Sequence, residues 1–86
     1  MFQSSISSER DSDMGKWAIS NNVRRLRFDH GEMTQQQLAE KVGVTRQTIV
    51  AIEKRKYTPS LELAFRIALL FQVPLEEVFF IEDDNS

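Results

Sequence analysis

Four residues between positions 46 and 51 have the types and spacing to touch the edge of a nucleobase. Along TRQTIVAIEKRK, residues 45–56, a step of about 100° per residue puts Arg46, Gln47, Val50, Ala51 and Lys54 on one arc of a helix. Thr48, Ile49, Ile52 and Glu53 fall on the other arc, where the two isoleucines face a core. Arg matches the guanine edge, Gln the adenine edge, and the small apolar surfaces of Val and Ala the thymine methyl. Such an arc suits the major groove of double-stranded DNA. No comparable set supports catalysis, and the chain is expected not to be an enzyme. The single histidine, His30, has no ligand cluster in sequence, cysteine is absent, and no glycine-rich loop is present to cradle phosphate. Thiolate metal sites and disulfides are excluded. No cofactor, metal or small-molecule ligand is expected.

A reading helix of this kind has to be held at a steep angle against a second helix. The preceding residues, TQQQLAEKVGV (34–44), supply that partner. Thr34 caps a helix whose apolar positions are Leu38, Ala39 and Val42. Gly43 ends it, and Thr45 caps the next after a short turn. Ala39 is small at the expected point of closest approach. Around this pair the sequence predicts an all-α domain of five short helices. The first starts at Ser20 or Asn21 and turns Val23, Leu26 and Phe28 inward before Gly31 ends it. The fourth, capped by Ser60, carries LELAFRIALLFQ, apolar around much of its circumference. Pro74 opens a short fifth helix, LEEVFF.

The 86 residues suffice for one domain. Residues 1–16, rich in Ser and Asp, are expected to form a flexible segment. The domain proper is expected over 17–81, with Trp17 and Ile19 as an apolar lead-in, and 82–86 as a fraying acidic tail. The net charge of −2 hides an uneven distribution. Eight Lys/Arg stand against four acids in residues 20–60, whereas a single Arg66 stands against six acids in 61–86. The basic stretch, not the global balance, decides attraction to phosphate. The opening MFQSSISSERDSD has neither the basic start nor the apolar stretch of a secretory signal. No apolar run approaches the roughly 18 residues of a membrane span. A cytoplasmic protein without membrane contact is expected.

Residues 20–81 resemble the Xre-type (lambda-repressor-like) helix-turn-helix family. The resemblance rests on LR at 26–27, TQQQLA at 34–39, VGVTRQTI at 42–49, IEKRKYTPSLELAFRIA at 52–68 and FQVPLEEVF at 71–79. It implies a five-helix, usually dimeric domain that represses or activates genes from palindromic sites, with the helix-turn-helix in helices two and three. Carried onto the matching positions, it implies base reading by Arg46, Gln47, Val50 and Ala51. Gln35 would bond a phosphate and brace the recognition helix near Arg46, and Thr45, Lys54 and Lys56 would lie near phosphates. Arg27 would pair with Glu53, tying the first helix to the third. Asp29 and Glu32, in an acidic loop before Thr34, depart from a phosphate-binding pattern.

The C-terminal third holds more apolar side chains than one small core hides. Leu63, Ile67, Ala68, Phe71, Val73, Leu75 and Val78 suffice for packing. Phe65, Leu69, Leu70, Phe79, Phe80 and Ile81 form a surplus, read as the interface of a homodimer. The Phe80–Ile81 pair would add either a short intermolecular strand or a knob. The function expected is thus a sequence-specific transcriptional regulator, a repressor by preference. The alternative is an antitoxin-type or other module that binds a partner protein.

Overall fold

Side-chain caps start three of the five helices in a computed structural model that describes residues 17–83, with side chains from 18 to 82. In chain order the elements are β1 (Trp17–Asn21), α1 (Val23–Asp29), α2 (Gln35–Val42), α3 (Arg46–Glu53), α4 (Leu61–Phe71), α5 (Leu75–Val78) and β2 (Phe79–Asp83). Thr34 accepts the Gln37 N–H while the Gln37 side chain returns to the Thr34 N–H, closing a capping box. Thr45 accepts from the Thr48 N–H and Ser60 from the Leu63 N–H. The residue before α1 is Asn22, whose side chain makes no cap bond; both expected caps, Ser20 and Asn21, lie within β1, and Asn21 Oδ1 still accepts from the Val23 N–H at 3.2 Å.

Three helix ends follow one rule. At the ends of α2, α3 and α4 the N–H of the residue just after the turn residue reaches back to a carbonyl five residues earlier, in the bonds Val44 to Ala39, Lys56 to Ala51 and Val73 to Ala68. The turn residue is left-handed. Gly43 takes φ +84° without a side-chain penalty, whereas Arg55 and Gln72 adopt φ +63° and +59° as non-glycine residues. The tight turn at Gly43 brings α3 back across α2. Ala39 and Leu38 of α2 and Ile49 of α3 have no exposed surface, and Ile52, Ile67 and Phe71 pack around them.

The fold is mostly helical, as expected, but not all-α. β1 and β2 pair antiparallel as a two-stranded ribbon in which Ile19 faces Ile81 and Ser20 faces Phe80. Two expectations change with it. The acidic end, expected to fray from residue 82, remains strand through Asp83. Phe80 and Ile81, weighed as an intermolecular strand or a knob, pair within their own chain. Both strands contain the aromatic and β-branched residues that favour extended structure. Each lacks a nearby partner in sequence, which is why a reading of local patterns left them unpaired. The flexible segment expected over 1–16, the packing of the Trp17 side chain and residues 84–86 lie outside the described residues. Among the described residues no helix is long and apolar enough to cross a membrane.

Because Ala39 is fully buried where α2 meets α3, Ala39→Leu must push the two helices apart. Overpacking of this kind costs about 1–3 kcal/mol, and the variant is expected to melt well below the parent in a denaturant or thermal titration. A parent-like transition would refute the close contact.

Candidate nucleic-acid interface

The exposed arc of α3 is held in place by a carboxylate on its inner side. The Glu53 side chain is 10% exposed and faces Arg27, 9% exposed, at 2.7 Å. Arg27 Nε donates to Oε2 at 2.7 Å and Nη2 to Oε1 at 3.1 Å, the two-pronged geometry that guanidinium and carboxylate share. Arg27 Nη1 donates to the Met33 carbonyl at 2.7 Å, and Gln35 Nε2 donates to Glu53 Oε1 at 3.1 Å. One carboxylate therefore gathers α1, the start of α2 and the end of α3.

This geometry relocates the brace implied for Gln35. Its carboxamide bonds Glu53, at the opposite end of α3 from Arg46, because α2 begins where the last turn of α3 passes and the carboxylate is a strong acceptor there. Arg46 and Gln47 are exposed on the first turn of α3, and Val50 and Ala51 are half-buried one turn later. Thr45 is exposed, but its hydroxyl is engaged, capping the Thr48 N–H and lying 3.1 Å from the Thr48 hydroxyl. Lys54 and Lys56 are exposed beyond the helix end. Val50, Lys54 and Gln35 meet around a cleft between α1 and α3, so three of the expected contact residues share one concavity.

Arg24 also lines that cleft, a residue for which the sequence analysis proposed no role. Its guanidinium carbon stands 5.6 Å from the centre of the Phe28 ring, and Arg27 stands 5.7 Å from it. Phe28, expected to turn inward, is half exposed and serves as a platform for two cations. The spacing of Arg24, Arg27 and Phe28 on one helix was the available clue. Arg55, in the same basic run as Lys54 and Lys56, is bound to Glu82 at 2.6 Å. His30, at the end of α1, bonds through Nδ1 to the Leu26 carbonyl at 2.8 Å.

The surplus apolar residues divide. Leu70 and Phe79 are partly buried and pack against the chain's own core, so they are largely used within it. Phe65, Leu69, Phe80 and Ile81 stay exposed, and Leu61 joins them. Leu61, Phe65 and Leu69 recur every fourth residue along α4 and make one ridge. Leu61 was missed because it opens the helix directly after the Ser60 cap.

The helix-turn-helix family HTH_3 matches residues 24–78, from the first turn of α1 through α5. The chain belongs to the Xre-type (lambda-repressor-like) helix-turn-helix family. An uncharacterized HTH-type transcriptional regulator of Methanocaldococcus jannaschii is 53% identical over 67 residues, covering 78% of this chain and 100% of that one. The regulator YgzD of Bacillus subtilis, also named HTH-type and uncharacterized, is 48% identical over the same shares of both chains. The cryptic phage CTXphi transcriptional repressor RstR of Vibrio cholerae is 30% identical over 67 residues, 78% of this chain and 60% of its own.

Removing one member of a buried pair leaves the other charge uncompensated, at a cost of about 3–5 kcal/mol. Glu53→Ala is therefore expected to destabilise the domain far more than Glu40→Ala, since Glu40 is exposed and, among the described residues, accepts only from the Gln36 amide. Equal melting points for the two variants would contradict the burial of the pair.

Proposed function

We propose that this chain is a sequence-specific DNA-binding transcriptional regulator that reads a palindromic operator as a homodimer. The observation that carries the reading is the outer face of the first turn of α3, exposed and without side-chain bonds among the described residues. Arg46 and Gln47 stand on it with Val50 and Ala51 behind them, on a helix fixed from within by Arg27 and Glu53. In the major groove this face offers a guanine reader, an adenine reader and two thymine-methyl contacts. Lys54 and Lys56, with Gln35 and Arg24 around the adjoining cleft, supply phosphate contacts that add affinity without sequence information. Action as a repressor is supported by the kinship with RstR, named a transcriptional repressor.

The salt dependence and sequence dependence of binding separate these roles. Lys56→Ala is expected to weaken preferred and scrambled duplexes alike and to reduce the slope of log affinity against log salt by about one. Gln47→Ala is expected to relax preference at a single base position, by about 1–3 kcal/mol. Duplexes selected from random sequence by the parent give the probes. A parent that selects none would overturn the reading.

The dimer rests on the ridge of Leu61, Phe65 and Leu69, with Ile81 nearby in the sequence of the acidic third, a region whose charge repels phosphate. Two copies would set their α3 helices about 34 Å apart, one turn of DNA. Phe65→Asp with Leu69→Asp, both on exposed positions, is expected to convert a dimer into a folded monomer by sedimentation. A monomeric parent at tens of micromolar, or a double variant that stays dimeric, would contradict this interface.

A further inference from the structure

Both strands of the ribbon reach the same end of α3, from outside the helix-turn-helix. Asn21 of β1 donates from Nδ2 to the Ile52 carbonyl at 2.9 Å, while its Oδ1 accepts from the Val23 N–H at 3.2 Å. Glu82 of β2 accepts from Arg55 at 2.6 Å. Between these contacts lies the reversal that ends α3, in which the Arg55 N–H bonds the Ile52 carbonyl and the Lys56 N–H bonds the Ala51 carbonyl, each at 2.9 Å. The Ile52 carbonyl thus takes two donors, one from the turn and one from Asn21, which uses both its lone pairs. Arg55 holds φ +63° in this turn, a conformation that a non-glycine residue keeps when its surroundings over-determine it.

We propose that Asn21 is a positioning residue of the DNA reader: its one carboxamide couples the start of α1 to the end of α3 and so fixes the tilt of the recognition helix. The inference rests on the DNA-binding reading above. On its inner side α3 is held by the packing of Ile49 and Ile52, which tolerates sliding, and by one directional polar contact, at Glu53. The Ile52 carbonyl gives a second directional contact. The ion pair from Glu82 contributes less, because both its side chains are about half exposed and such pairs are weak in water. The leverage is considerable. An eight-residue helix is about 12 Å long, so a tilt of about 10° at its C-terminal end moves Arg46 by about 2 Å. Base-edge hydrogen bonds do not survive that displacement.

Two substitutions separate the two bonds of the carboxamide. Asn21→Ser keeps a short oxygen for the Val23 N–H and cannot reach Ile52. Asn21→Asp, the substitute should the serine variant melt below the assay temperature, keeps that acceptor and carries no donor. The first readout needs no DNA: amide hydrogen exchange. Faster exchange is expected at Arg55 and Lys56, with protection of Val23 and Leu26 retained. The second is the ratio of affinities for the preferred and a scrambled duplex, expected to fall about tenfold, the scale of one net hydrogen bond, while affinity for the scrambled duplex changes little in Asn21→Ser. Parent-like exchange at Arg55 and Lys56 would overturn the tie. An unaltered ratio in the variant beside a discriminating parent would overturn the positioning role alone. A parent that discriminates between no duplexes would overturn the DNA reading itself, and this role with it.

Discussion

A carboxylate withdrawn from water costs several kcal/mol unless its oxygens are supplied with donors, and the domain is arranged around meeting that demand at Glu53. The two prongs of Arg27 and the carboxamide of Gln35 meet its two oxygens. Arg27 has a further donor, which secures the Met33 carbonyl in the loop leading to α2. None of these groups can move far without stranding a charge. The result is a polar joint inside a small apolar core, and it specifies how α1, α2 and α3 meet more sharply than Ile49 and Ile52 could alone. Leu and Ile side chains tolerate sliding, whereas a bidentate ion pair does not.

From that joint the rest of the proposed reader follows outward. The inner arc of α3 is consumed by Ile49, Ile52 and Glu53, which leaves Arg46 and Gln47 pointing away on the first turn. The turn at Gly43 sets the crossing of α2 and α3, and α4 secures it from behind, where Arg66 donates to the Val42 carbonyl at 3.1 Å. The ribbon closes the far end through Asn21 and the Arg55–Glu82 pair. The helix proposed to read bases is thus held at its beginning by a cap and at its end by α1, α2 and the ribbon.

Legibility in the sequence tracked the range of the interactions. Helix starts at Thr34, Thr45 and Ser60 were readable because capping is decided within three residues. The inner and outer arcs of α3 were readable because helical periodicity is local. The Arg27–Glu53 pair became an expectation through family resemblance, and the bare pattern offered only that Glu53, on an inward arc, needed a partner. The ribbon was not readable, since WAISN and FFIED pair across nearly the whole described chain. Asn21 was recognised as a cap candidate, but its bond to Ile52 joins residues that no local pattern connects. Gln35 was placed at the right element and given the wrong neighbour, an error of about two helical turns along α3 that only the crossing of the helices resolves. Phe28 looked like a core residue by spacing, and the two arginines that flank its ring explain why it can remain half exposed.

The claim at the centre of this account is that the buried pair orients α3 for reading, over and above keeping the domain folded. The double variant Arg27→Met, Glu53→Met separates the two roles, because replacing a buried ion pair by apolar residues of similar size is often neutral or stabilising. Its affinity for the preferred and scrambled duplexes should be measured beside its melting transition. The account predicts a domain that melts near the parent and has lost most of its preference between the duplexes. A stable double variant with the parent's full discrimination would contradict it.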